Sequence, residues 1–348
     1  MSNSTLGIIG GGQLGSMLAI EAKKINVKTI IFSNSKHAPA QNFSDEFIHG
    51  EYNDKNLISK FLSLSDVVTY EFENIPFHIL EEINKTKTVY PNPLINKIVQ
   101  NRFNEKNFIN KLNIKTTQYA RIKKKDEINS FKEYLPGLLK TNTMGYDGKG
   151  QYKINSLDAL RDLNIDFDKD FILEKLVNLK KEISVIITRF KENEYEIYEP
   201  IENIHEDQIL KNSKIPAIID KNIFAQSKLW ATTIAEKLDY IGTLCVEFFI
   251  DKDNILYVNE IAPRVHNSGH LTLNAFNVSQ FENHVRAVLK LKRIKLKKIS
   301  NARMINVIGD QIESYRNKDY NKNEFFFDYL KKDIKPKRKM GHLTTLIS

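Results

Sequence analysis

The stretch Val258-Asn259-Glu260-Ile261-Ala262-Pro263-Arg264-Val265-His266-Asn267-Ser268-Gly269-His270 follows the apolar run Ile255-Leu256-Tyr257. A buried strand therefore carries Asn259 and Glu260 to its end, and the turn beyond presents Pro263, Arg264 and His266. Upstream, the residues from Gly242 to Ile250 form a second β-rich run, with Glu247 set among apolar neighbours. Asp251-Lys252-Asp253-Asn254 between the runs reads as the turn of an antiparallel hairpin. The pairing brings Glu247 close to Asn259 and Glu260. Two carboxylates and an amide oxygen suit Mg²⁺, a hard cation usually shared with nucleotide phosphates. A strand residue facing solvent is the plainer alternative for Glu247, although acidic residues are rarely buried without a partner.

Outward from this hairpin, 348 residues are enough for two or three packed units. Hydrophobic residues make up 41%, and no apolar run approaches the ~18 residues of a membrane span. Met1-Ser2-Asn3-Ser4-Thr5 lacks the charged-then-apolar pattern of a signal peptide. Cys245 is the single cysteine, which excludes an internal disulfide and fits a reducing cytoplasm. A formal charge of +9 admits a nucleic-acid partner, but the 52 basic residues are interspersed with 43 acidic ones. No aromatic platforms beside a basic groove can be identified. Two clusters stand apart, residues 290–298 and 335–339; a solvated linker explains the first, and an anionic ligand is open for the second.

The chain opens with a strand at Leu6–Ile9, the loop Gly10-Gly11-Gly12-Gln13-Leu14-Gly15 and a helix-like run to Ala22. Strands at Val27–Phe32 and Val67–Tyr70 follow, an alternation that implies a parallel α/β domain. The loop matches G-x-G-x-x-G, but the second strand ends Phe32-Ser33-Asn34, without the carboxylate that a nicotinamide dinucleotide needs for its ribose. It reads instead as a close-approach turn at a helix N-terminus. Leu94–Leu112 reads as one amphipathic helix carrying Arg102, and Leu138-Leu139-Lys140 as a short strand delivering a lysine. Met144-Gly145-Tyr146-Asp147-Gly148-Lys149-Gly150-Gln151 can aim several amides at one anion, with Lys149 adding charge. It lacks Walker spacing, and a plain hairpin turn is its alternative. Strands are expected at Phe171–Val177, carrying Glu174, and at Glu182–Ile187; a helix from Phe224 to Leu238 leads into the hairpin.

In this order the landmarks resemble the ATP-grasp superfamily and, within it, the N5-carboxyaminoimidazole ribonucleotide synthetase family, from Gly10 to His342. The resemblance rests on Gly10–Gly15, Thr69-Tyr70-Glu71-Phe72-Glu73-Asn74, Gly145–Gln151, Glu202-Asn203-Ile204-His205, Asn259–His270 and Arg338-Lys339-Met340-Gly341-His342. It implies an N-terminal parallel α/β domain (1–95), a central α+β ATP-grasp domain (96–290) with its lid around 115–175, and a small C-terminal β-rich domain (291–348). The activity implied is ATP-dependent carboxylation of 5-aminoimidazole ribonucleotide by bicarbonate through carboxyphosphate, in purine biosynthesis. It further implies a Mg²⁺ cofactor and a cytoplasmic homodimer with no nucleic-acid or membrane partner.

By the same resemblance, Lys140 and the lid residues Gly145, Tyr146, Asp147, Gly148, Lys149, Gly150 and Gln151 hold the ATP phosphates. Glu174, Lys175, Leu176, Val177 and Glu182 hold adenine and ribose, Arg102, His205 and Asn259 add nucleotide contacts, and Glu247 with Glu260 ligates Mg²⁺. Arg264 faces the carboxyphosphate; His266, Asn267 and Ser268 line the carboxylation pocket; Tyr146, Asp147 and Lys149 close over it. Gln13, Leu14, Glu71, Lys331 and Arg338 take the ribonucleotide, with helix N-terminal amides and two cations as its phosphate site. Lys332 competes with Lys331 for this role. Two departures bear on that site: Ser16 stands where the family often has Arg, and Lys337 where it often has Gly, a loss that could shift the loop carrying Arg338. The nearest rival family is the formate-using glycinamide ribonucleotide transformylase, which carries Glu at the position of Gln13 and a different run at His266–Ser268.

Overall fold

The computed structural model describes residues 4–143, 150–161, 165, 167 and 169–347. The lid residues Gly145, Tyr146, Asp147, Gly148 and Lys149 lie outside the described residues. Among those described, the strands form three sheets. The first is parallel, in the order β3-β2-β1-β4, from β1 (Thr5–Ile9), β2 (Lys28–Ser33), β3 (Glu46–His49) and β4 (Val67–Tyr70). Alternate residues serve two cores: Leu6 and Ile8 pack with Leu14, Met17 and Leu18, whereas Ile9, Phe32 and Tyr70 pack on the other face. A parallel sheet covered on both sides needs such continuous apolar runs.

The second sheet is antiparallel, β5-β8-β6-β7, from β5 (Tyr119–Ile122), β6 (Gly137–Thr141), β7 (Gln151–Ile154) and β8 (Phe171–Lys175). The glycine-rich segment is the connection between β6 and β7, whose register sets Lys140 opposite Gln151. The third and largest sheet takes β9 (Leu179–Lys191), β10 (Glu194–Ile197), β11 (Ile201–Glu206), β12 (Ile209–Ile215), β13 (Gly242–Asp251), β14 (Leu256–Ala262), β15 (Asn301–Ile308), β16 (Glu324–Asp328) and β17 (Lys339–Ile347). Its order is β14-β13-β9-β11-β12-β15-β17-β16, with β10 paired to β9. The C-terminal strands thus extend the central sheet through the β12–β15 pairing, and β14 is an edge strand.

The hairpin forms as expected, with Asp251 accepting the amides of Asp253 and Ile255 and Asn254 at φ +60°. The single helix expected over Leu94–Leu112 is two, Pro93–Val99 and Arg102–Lys111. Asn101 causes the break: its backbone is extended and its side chain caps the Asn104 amide, so the second helix starts afresh with Arg102 first. The helix expected from Phe224 runs Lys221–Lys237 and packs on β9 and β13, filling one core face with Ala231, Ile234, Val185, Val246 and Phe248. Among the described residues, no helix is long and apolar enough to cross a membrane.

Candidate active site

On β13, Leu244, Val246 and Phe248 enter the helix-covered core, which leaves Glu247 on the opposite face beside Cys245. Glu247 is aligned with Glu260 on β14 and with Ser184 on β9. The register slips between Glu247 and Phe248, because Phe248 pairs with Val258 and Asn259 is the extra residue of a bulge. That bulge directs the Asn259 amide to within 3.5 Å of the Glu247 carboxylate. Glu247 is thus not a solvent-facing strand residue: its side chain is 16% exposed and its Oε1 is 3.0 Å from His266 Nε2. Burial opposes its charge, but the hydrogen bond from His266 Nε2 and the nearby Arg264 lower the carboxyl below its ordinary range. Glu260, at 40% side-chain exposure, opens toward solvent and takes Arg102 at 3.2 Å.

Lys140 of β6 lies 3.0 Å from Glu174 of β8, and Lys106 reaches the other Glu174 oxygen at 3.5 Å. Burial would raise this carboxyl, but Lys106 and Lys140 hold it at about 2. Both Glu174 oxygens thus face lysines. Lys175, Leu176 and Val177 follow at the open end of β8, with Lys175 and Leu176 exposed. On neighbouring strands, Glu182 and His205 meet at 2.5 Å; burial works against a charged His205, and the Glu182 contact together with the charges of Glu182 and Glu247 outweighs it, raising the pKa.

Beyond β14, Arg264 forks onto Glu73, with Nη2 at 3.2 Å and Nε closer still, and is held charged by that pairing against its burial. The His266 Nδ1 accepts from the Ser268 amide, and its Nε2 therefore carries the proton that faces Glu247. Ser268 Oγ is 2.8 Å from that same Nδ1 and 2.8 Å from Ser184 Oγ. Asn203 donates to Ser184 at 3.0 Å and accepts from Ser213 at 2.8 Å. The donors consequently run in one direction, from Ser213 through Asn203, Ser184 and Ser268 to His266 and Glu247. Asn267 is buried and exchanges two amide hydrogen bonds with Asn306, at 2.7 and 3.0 Å.

At the glycine loop, the anion on the helix N-terminus is the chain's own Glu71, which accepts from the Gly12 and Gly15 amides. Glu71 thus takes the Gly12 and Gly15 amides on either side of Gln13 and Leu14. The glycines serve this contact: a Cβ on Gly10, at φ +105°, would lie 2.4 Å from Glu71 Cγ, and one on Gly12 2.8 Å from its Oε1. Burial raises the Glu71 carboxyl, while Gly15, Gly12, Lys331 and Arg264 act in the other direction. Gln13 opens the helix, and Leu14 is buried in the core with Val265 and Phe281. Lys331 lies over the Tyr329 ring and donates to the Lys339 carbonyl at 2.7 Å, whereas Lys332 is exposed. Arg338 is half-buried and donates to the Asp333 carbonyl at 2.9 Å. Lys337 adopts φ +63° itself, so the loop keeps a glycine-like path without glycine.

The sequence reading did not assign Glu73, Glu105, Lys106, Ser184, Asn203 or Ser213. Glu73 and Asn203 sit inside motifs it did quote, and Ser184 interrupts the apolar run Ile183–Ile187; Lys106 had no local signal. Glu105 is buried, and burial followed by repulsion from Glu260 pushes it up to about 8.

Three family models match in succession: a ribonucleotide synthetase preATP-grasp domain over residues 3–100, an ATP-grasp domain over 107–281, and a phosphoribosylaminoimidazole carboxylase C-terminal domain over 302–348. The N5-carboxyaminoimidazole ribonucleotide synthase of Brucella melitensis is 39% identical over 348 residues, 99% of this chain and 96% of that one. The chain belongs to the N5-carboxyaminoimidazole ribonucleotide synthase family. It is an ATP-grasp ligase. The family member from Bacillus subtilis is 37% identical over 98% of this chain and 91% of its own. Among solved structures, the N5-carboxyaminoimidazole synthetase from Staphylococcus aureus complexed with ADP aligns at TM-score 0.91 and 35% identity, covering 99% of this chain and 93% of that one. The family's enzyme from Aspergillus clavatus, in complex with ADP and 5-aminoimidazole ribonucleotide, aligns at TM-score 0.91 and 29% identity, covering 100% and 95%.

Proposed function

We propose that this chain carboxylates the exocyclic amine of 5-aminoimidazole ribonucleotide with bicarbonate, converting ATP to ADP and phosphate and forming N5-carboxyaminoimidazole ribonucleotide for purine biosynthesis. The observation that carries this reading is the β13–β14 ladder with Glu247 aligned with Glu260, continued by the turn that bears Arg264 and His266. Lys140 and Arg102 supply positive charge for the ATP phosphates, with the lid residues Gly145–Gln151 covering them. Lys175, Leu176 and Val177, with Glu182 and His205, form the adenosine end. The carboxylates of Glu247 and Glu260 and the amide of Asn259 are the hard donors that Mg²⁺ uses beside phosphate oxygens. When bound there, the ion neutralises charge developing on the transferred phosphoryl group.

Transfer of the γ-phosphoryl to a bicarbonate oxygen gives carboxyphosphate and ADP. The substrate amine then attacks the carboxyl carbon or the carbon dioxide released from it, phosphate leaves, and the amine loses a proton. Arg264, fixed by Glu73, stabilises the anionic intermediate; His266, with Nδ1 committed to Ser268, presents a fixed face to it. Tyr146, Asp147 and Lys149 exclude water that would hydrolyse carboxyphosphate. Glu71 and Gln13 face the ribonucleotide, and Lys331 with Arg338 holds its phosphate. The assembly is a homodimer in the cytoplasm, a setting that the single buried Cys245 suits.

Phosphate release from ATP tests the reading. Release should require Mg²⁺ and be stimulated by 5-aminoimidazole ribonucleotide with bicarbonate. Stimulation by glycinamide ribonucleotide with formate instead would assign the chain to the rival reaction.

A further inference from the structure

The helix Arg102–Lys111 meets the outer edge of β14, next to the bridge between Val258 and Thr116, with three residues of one face, at spacings of three and four. Arg102 takes the Glu260 carboxylate at 3.2 Å. Glu105 Oε1 accepts the Ile261 amide at 2.6 Å, and Lys106 Nζ donates to the Asn259 carbonyl at 3.3 Å. Residues 259, 260 and 261 are thus each held by one side chain of a single helical turn. The β13 ladder sets the register of Glu260 on one side only, and just past the bulged Asn259 the outer edge of β14 takes its backbone partners from this helix. Glu105 and Lys106 are buried, which holds both contacts away from competing water. Lys106 also faces Glu174, tying the same clamp to the sheet that carries Lys140. The three residues fall between the matched segments 3–100 and 107–281.

We propose that Glu105 and Lys106 are positioning residues that clamp the β14 backbone on both sides of Glu260 and thereby set the carboxylate for the nucleotide-bound cation. The inference rests on the Mg²⁺-nucleotide reading of the hairpin given above. A partner that orients a metal ligand typically contributes about 10- to 100-fold to metal affinity or activity.

The test is ADP binding to the full chain by calorimetry, with and without Mg²⁺. Glu105→Ala should lower the ratio of Mg²⁺-dependent to Mg²⁺-free affinity by about tenfold or more. Its turnover should need correspondingly more Mg²⁺ for half-maximal rate. Glu105→Gln keeps an acceptor for the Ile261 amide and should recover most of the ratio, which a loss of bulk packing would not predict. Glu105→Asp withdraws the acceptor by one methylene and should shift the ratio in the same direction if the alanine variant does not fold. A folded Glu105→Ala or Glu105→Asp protein with the wild-type ratio overturns the clamp. Failure of the wild-type protein to turn over 5-aminoimidazole ribonucleotide with bicarbonate would instead sink the proposed reaction, because the binding ratio needs neither substrate.

Discussion

A carboxylate set between two lysines keeps its charge at a depth where it would otherwise take up a proton. Glu174 is 4% exposed, and Lys106 and Lys140 bring it down to about 2 from an ordinary 4.5. Its folded value lies below its unfolded one, so its contribution to stability is present above 4.5 and is lost as the pH falls toward about 2. Glu174→Gln leaves two buried ammonium groups without their counter-charge and should cost about 3–5 kcal/mol at pH 7. Denaturant unfolding at several pH values should show the mutant and wild type converging below pH 4.5; parallel curves would mean that Glu174 is not the titrating group. Lys337 stores strain of another kind. A non-glycine residue at φ +63° costs about 1–2 kcal/mol, part of which Lys337→Gly returns against its own loss of chain entropy. The mutant should therefore be more stable by up to about 1 kcal/mol, read as a higher unfolding midpoint. Both residues were legible as types, an acid on a strand and a lysine at a glycine position. Their environments were not, because Lys106 and Lys140 approach Glu174 from remote parts of the chain.

At the level of elements, the β13–β14 hairpin was legible because alternation, a turn of Asp and Asn, and its length all pointed to the same pairing. The alignment of Glu247 with Glu260 follows from that pairing plus one bulged residue, Asn259. The helix break at Asn101 was not legible from apolar periodicity, since Leu94, Ile98 and Ile109 stay in phase across it; the capping side chain decides. Nor was the hydrogen-bond chain from Ser213 to His266, which crosses β12, β11 and β9 and exists only once these strands are in register. Ser184 is its midpoint. Ser184→Ala removes the donor to Ser268 and frees its hydroxyl to turn, so His266 loses its fixed orientation. One such hydrogen bond contributes about 1 kcal/mol, or roughly fivefold in rate. Expected is a fall of that size in kcat with the KM for ATP unchanged; a rise in the ATP KM alone would place the chain of hydroxyls at the nucleotide instead.

Across the whole molecule, the glycine loop, the hairpin turn and the C-terminal segment converge although they are more than 300 residues apart at their extremes. Lys331 and Arg264 both bear on the Glu71 carboxyl, which accepts from the Gly12 and Gly15 amides at the start of the first helix. With the Gly12 and Gly15 amides committed to Glu71, the side-chain charge for a phosphorylated substrate is proposed to come from Lys331 and Arg338. Arg338 currently donates to the Asp333 carbonyl, a neutral acceptor that a phosphate oxygen can replace. Arg338→Ala should therefore raise the KM for 5-aminoimidazole ribonucleotide while ADP binding, measured without that substrate, stays unchanged. Loss of one charge-assisted contact of about 1.5–3 kcal/mol corresponds to roughly a 10- to 150-fold weaker capture. Lys331→Ala should act in the same direction and Lys332→Ala should not, because Lys331 folds over Tyr329 whereas Lys332 is exposed. Should Arg338→Ala instead weaken ADP binding, or leave the ribonucleotide KM at its wild-type value, the substrate phosphate would have to sit on another face of the glycine loop, and the C-terminal cluster would be a solvated basic surface.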